Sequence, residues 1–233
     1  RINNNISTFC LLYRNILFLN KMTYTLIIPI YNEEHSLPTL LKKLDKINNK
    51  FEIIIIDDGS NDNSKNLLID NNQFLIIRNK FNLGKGASVR KGIHAATNQN
   101  IILMDGDLEV DIDDIPKLIT RFKTSNNDAL VGVRWKKDDD YKFEINTIGN
   151  YFINALFNLL YNSSLNDVLC CLKILDKDLF KSLDIKSKGF SIEVETMAKL
   201  VLNGLFIEEV SIQYNRRTSE EGKKLKISDS WHI

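Results

Sequence analysis

Two apolar runs in this chain each end in acid: residues 51–56 lead into Asp57, Asp58, Gly59 and Ser60, and residues 101–104 lead into Asp105, Gly106 and Asp107. Apolar runs bounded by turn residues read as strands buried on both faces, which restricts the chain to a largely parallel sheet covered by helices. Ligands of open α/β sheets collect beyond the carboxyl ends of the strands, so both acidic clusters are expected to face one crevice. If strand alternation continues, Asp105 and Asp107 point the same way and present paired carboxylates to a divalent cation.

From Tyr24 onward strand-like and helix-like segments alternate, the signature of βαβ units. Strands are predicted at 25–30, 51–56, 74–77, 101–105, 129–133 and 206–214, and helices at 37–47, around 67–68, and at 86–96, 116–123 and 192–202. Between 148 and 161 nearly every residue is apolar except Asn150, Asn154 and Asn158, which with Asn162 form a stripe at a spacing of four. A helix patterned in this way is either buried in the core or laid on lipid, and it is too short for a bilayer crossing, which takes about 20 residues.

The 233 residues suit one large α/β domain, read as 22–233, preceded by an extension at 1–21 with Met22 as an alternative start. An apolar period at 6–17 permits an amphipathic helix there, but neither a membrane span nor a cleaved signal is expected. Lys plus Arg total 31 against 30 for Asp plus Glu, and a net charge of +1 argues against nucleic acid as the main partner. Cys10, Cys170 and Cys171 lack metal-ligand spacing, which points to a reducing, cytoplasmic setting without disulfide or zinc. His35, His94 and His232 are scattered and receive no role.

Three strand ends carry polar groups where a fold needs only turns. Pro29, Ile30, Tyr31, Asn32 and Glu33 close the first; Asp57 and Asp58 close the second, with Gly59 placed to take a positive φ. Asp105, Gly106 and Asp107 close the fourth, and Glu109 follows as a third oxygen donor for magnesium or manganese. Asn82, Leu83, Gly84, Lys85 and Gly86 open a helix, where backbone N–H groups, Lys85 and Arg90 can meet phosphates, although the spacing is neither a dinucleotide fingerprint nor a P-loop. Arg216, Arg217, Lys223, Lys224 and Lys226 form a basic tail suited to phosphates and anionic headgroups.

Together these residues resemble glycosyltransferase family 2, a GT-A fold, in its dolichyl- or polyprenyl-phosphate sugar synthase branch. The resemblance runs from about Tyr24 to Lys226. It also takes in Arg134 after a strand, Asp167 before Cys170–Lys173, Gly189 and Phe190 with Glu195, and Arg217 with Glu221, Gly222 and Lys223. It implies that Asp57 and Asp58 contact the nucleoside, that Asp105 and Asp107 serve ribose, diphosphate and metal, and that Arg134, Arg217 and Lys223 hold acceptor or donor phosphates. The implied enzyme moves a hexose from a nucleotide sugar, GDP-mannose or UDP-glucose, to a polyprenyl or dolichyl phosphate at a membrane surface, with magnesium or manganese. Glu109 stands where many relatives carry Gln, Lys142 is the nearest substitute for an absent arginine, and no apolar span follows Trp231. A transferase acting on a sugar hydroxyl is the nearest rival reading. A phospho-receiver module also places paired acids at strand ends, but it needs only about half this length. An inactive GT-A module that binds nucleotide without turnover is a third.

Overall fold

The computed structural model describes residues 23–69, 71–134 and 145–217. The extension at 1–21, Trp135, Lys142 and the tail beyond Arg217, Lys223 included, lie outside them. Strands β1 (Tyr24–Ile30), β2 (Glu52–Asp57), β3 (Leu75–Arg78), β4 (Asn100–Leu103), β5 (Ala129–Val133), β6 (Lys173–Asp176) and β7 (Ile207–Ser211) form one sheet in the order β3-β2-β1-β4-β6-β5-β7. Helices α1 (Leu37–Asp45), α2 (Ser64–Ile69), α3 (Lys85–Ala95), α4 (Ile115–Thr124), α5 (Ile145–Tyr161), α6 (Lys177–Ser182) and α7 (Ile192–Leu202) connect them.

Burial on both faces explains the continuous apolar runs. Successive residues Leu26, Ile27 and Ile28 in β1, and Ile54, Ile55 and Ile56 in β2, are all fully buried. Adjacent strand residues point to opposite faces, so both faces are covered. β1 pairs in parallel with β2 and β4, and β2 with β3, which brings the acidic ends of β2 and β4 to the same edge on either side of β1.

β6 is the exception: it runs antiparallel to both β4 and β5. Its amino end, Lys173, therefore lies where its neighbours have their carboxyl ends. This strand and α6 were not foreseen, because Lys173 interrupts a short run that gave no period of its own. The predicted strand at 101–105 stops at Leu103, and the one at 206–214 stops at Ser211, with Tyr214 meeting Val110 only as an isolated bridge. α5 starts three residues earlier than the predicted 148.

Candidate active site

Beyond β4 the chain turns sharply, with Leu108 at a φ of 64°. The pairing of Asp105 and Asp107 therefore comes from a turn, not from the strand alternation that the sequence suggested. Asp107 accepts the Glu109 N–H at 3.0 Å. Burial, and then the carboxylates of Asp105, Glu109 and Glu33, push its carboxyl up to about 7. Four acids from the ends of β1 and β4 thus act on one spot.

Two cations face this cluster. Lys85, at the start of α3, lies 2.6 Å and 2.8 Å from the two oxygens of Asp105 and 2.7 Å from Glu193. Burial works against its charge, but Asp105 and Glu193 outweigh it and hold the ammonium well above its ordinary range. Arg217 donates from Nη2 to Glu33 at 2.9 Å and from its backbone N–H to Glu109 at 3.1 Å. Glu109 also accepts the Tyr214 hydroxyl at 2.9 Å. Glu109, expected as a third metal ligand, here has its carboxylate on the segment that carries Arg217.

Asp57 and Asp58 have no exposed face of consequence. Asp57 accepts from Ser60 N–H and from Arg78 Nε, at 2.9 Å and 2.8 Å. Asp58 accepts from Asn79 Nδ2 and from the N–H groups of Leu83 and Gly84, at 2.7, 3.0 and 2.8 Å. Two N–H groups expected to meet phosphate are therefore spent on a carboxylate that fixes the loop ahead of Lys85. Gly59 takes the foreseen positive φ, 76°. Asn32 also lies in the left-handed region, and its N–H donates to Ser60 Oγ at 2.9 Å, tying the end of β1 to that of β2. Tyr31 flanks it, half-buried.

The Lys85 loop is clamped from the far side by the approach to α7. Arg90, expected on a phosphate, donates to the Ser187 carbonyl, and Ala87 N–H donates to that of Lys188. A Cβ on Gly86 would stand 2.2 Å from the Ser187 oxygen, so only glycine fits this close approach. Glu195 holds the clamp by accepting the N–H groups of Lys186 and Ser187, at 2.9 Å and 2.7 Å. Although partial burial opposes ionisation, bonds from Ser187 and Lys186 hold its carboxyl down to about 2, against an ordinary 4.5. A depressed carboxyl stabilises the fold above its unfolded value and loses this effect as pH falls through the folded one. Glu195→Gln is therefore expected to melt below wild type at pH 6, with the gap closing between about 4.5 and about 2 in thermal unfolding curves.

Sequence reasoning singled out Glu195 and missed Glu193. Two residues along a helix turn through about 200°, so the pair serve opposite faces. Glu193 points inward, with one oxygen on Lys85 and the other on Lys173, which is 1% exposed and also donates to the Cys170 carbonyl. The result is a buried row of alternating charge, Lys173, Glu193, Lys85, Asp105. Pro29, Cys171 and Glu193 line a small cleft beside Lys85 and Asp105. At the other side, Arg134 forms a two-pronged bridge to Asp167, both contacts at 2.8 Å, and lies 5.4 Å over the Tyr214 ring.

The model of Glycosyl transferase family 2 matches residues 25–184. The chain belongs to glycosyltransferase family 2. Within the family it is 30% identical over 203 residues to an uncharacterized protein of Methanocaldococcus jannaschii, covering 81% of this chain and 87% of that one. It is 30% identical to undecaprenyl-phosphate 4-deoxy-4-formamido-L-arabinose transferase of Proteus mirabilis, over 71% of this chain and 52% of the relative. It is 28% identical to dodecaprenyl-phosphate galacturonate synthase of Rhizobium johnstonii, over 69% and 50%. The chain thus spans about half the length of these two transferases. In fold it is similar to glucosyl-3-phosphoglycerate synthase from Mycobacterium tuberculosis, solved with Mn2+, uridine diphosphate and glucosyl-3-phosphoglycerate, at a TM-score of 0.69, 15% identity and coverage of 86% and 74%. The mostly parallel sheet and its flanking helices are those of a GT-A glycosyltransferase domain.

Proposed function

We propose that this family 2 domain transfers a hexose from a nucleotide sugar to a polyprenyl phosphate, inverting the anomeric centre. The observation that carries the reading is the meeting of Asp105, Asp107 and Glu33 with Lys85 and Arg217 at one sheet edge. An acceptor phosphate oxygen forms the new bond to the anomeric carbon, and the bond from that carbon to the diphosphate breaks, its electron pair leaving with the nucleoside diphosphate. A phosphate oxygen is anionic near neutral pH, so no protein base is needed. Lys85 and Arg217 neutralise the donor diphosphate, while Arg134, kept charged and oriented by Asp167, and Lys223 receive the acceptor phosphate.

Among the described residues no three His, Cys, Asp or Glu side chains gather to form a metal cage. Magnesium and manganese need none, since one or two carboxylates and substrate phosphates suffice, and the excess of negative charge around Asp107 fits such an ion. Asp105 and Asp107 would hold it, and it would offset charge developing on the leaving diphosphate.

Incubating the protein with manganese, radiolabelled nucleotide sugar and either polyprenyl phosphate or soluble glycans tests the reading. Label in the organic phase supports it, whereas label only on glycan hydroxyls overturns it. Arg217→Ala is expected to raise KM about tenfold or more with a smaller change in kcat, which steady-state kinetics would show.

A further inference from the structure

Two nucleophilic side chains play no part in the chemistry above. Cys170 and Cys171 are consecutive, both thiols are free, and their side chains hydrogen-bond each other. Cys170 is fully buried, packed so closely on β5 that a Cβ at Gly132 would stand 3.1 Å from its sulfur. Its carbonyl accepts from the Lys173 ammonium, so the buried row of charge also anchors the pair. Cys171 is half-buried and forms part of the wall of the cleft that Lys85, Asp105 and Glu193 line.

Adjacency decides what the pair can bind. Consecutive Cα atoms stand about 3.8 Å apart, below the roughly 4.4 Å that a disulfide requires, so the two thiols do not close on each other. A structural zinc ion takes four ligands, and among the described residues no third His, Cys, Asp or Glu joins them in such a cage. What fits is a soft centre that takes two sulfurs and brings its third bond with it.

We infer that Cys170 and Cys171 form a chelating dithiol site for monosubstituted trivalent arsenicals, and that its occupation closes the cleft at Lys85 and Asp105 to the sugar donor. The closure rests on the reading of that cleft as the donor side. In an arsonous acid, R–As(OH)2, both As–O bonds to hydroxyl break and two As–S bonds form. The thiol protons leave with the hydroxyls as two waters, and arsenic stays trivalent, so no oxidant or reductant is consumed. Because β5 closes in Cys170, the group R projects on the Cys171 side, into the cleft.

Phenylarsine oxide is the probe, and the intact mass of the full chain is the first readout. Wild type and the control Cys10→Ala are expected to take up one phenylarsenic group with loss of two thiol hydrogens. Cys171→Ala truncates a half-buried side chain, and thermal unfolding verifies its fold. It is expected to bind the probe at least about a hundredfold more weakly, because one arm of the chelate is gone. Dimercaptopropanol is expected to strip the wild-type adduct, and mercaptoethanol at equal thiol concentration to leave it in place. The second readout is transfer of label from the nucleotide sugar to whichever acceptor takes it, lipid phosphate or glycan, each protein measured against its own untreated rate. Treated wild type is expected to lose transfer and regain it with dimercaptopropanol, while Cys171→Ala keeps its own rate. Uptake that survives Cys171→Ala overturns the site. A wild type that carries the adduct yet transfers at its untreated rate overturns the closure. The mass readout needs no acceptor, so label found only on glycan hydroxyls would sink the polyprenyl phosphate reading and leave the dithiol site standing.

Discussion

Glu193→Leu is expected to destabilise the domain by about 3–5 kcal/mol, because removing one member of a buried ion pair strands its partner. Here the stranded partner is Lys173. It is fully buried and, among the described residues, donates to Glu193 and the Cys170 carbonyl, while Lys85 keeps Asp105. The informative comparison is the double variant Lys173→Met, Glu193→Leu, which removes one charge of each sign at nearly constant volume. Buried pairs replaced by apolar residues of similar size are commonly neutral or better, so its stability is expected to return to within about 1 kcal/mol of wild type. Activity is not expected to return with it. Without Glu193 the Lys85 ammonium is steered by Asp105 alone, and a misplaced phosphate-binding cation costs on the order of a hundredfold in kcat/KM. Urea melts read the first quantity and steady-state kinetics the second. A double variant that recovers both would make the row a packing device only.

The reach of the sequence follows from what each residue advertises locally. β5 and α7 were bounded correctly at 129–133 and 192–202, since an apolar run and a helical period are each contained within the segment. Gly59 was legible because a turn after a strand needs a positive φ, and the structure gives it one. The convergence of the two acidic strand ends was legible from parallel-sheet logic, which both pairings of β1 satisfy. Lys173 was not, because a lysine in an apolar run reads as an interruption unless the distant Glu193 is known to neutralise it. Arg134 and Asp167 lie 33 residues apart, and nothing local announces their bridge. The choice between Glu193 and Glu195 turned on helix phase: both stand in the first turn of α7, and only packing decides which side faces the site.

Asp107→Asn is expected to abolish transfer while leaving the metal-free fold at least as stable as wild type. Stability first: Asp107 sits under the influence of Asp105, Glu109 and Glu33, and burial and their repulsion both disfavour its charge. An amide of the same shape removes one negative charge from that neighbourhood and can still accept the Glu109 N–H that the carboxylate accepts now. Thermal unfolding in chelator at pH 8 is therefore expected to place the variant at or above wild type. Catalysis moves the other way. An amide oxygen is a weaker ligand for a hard cation than a carboxylate, and loss of charge compensation for the departing diphosphate costs at least about a hundredfold in kcat. A residue whose removal relaxes the fold and silences the reaction is held in place by function, since natural sites retain strain that folding alone would discard. An Asp107→Asn protein that unfolds, or one that turns over at the wild-type rate, would assign the carboxylate to architecture instead.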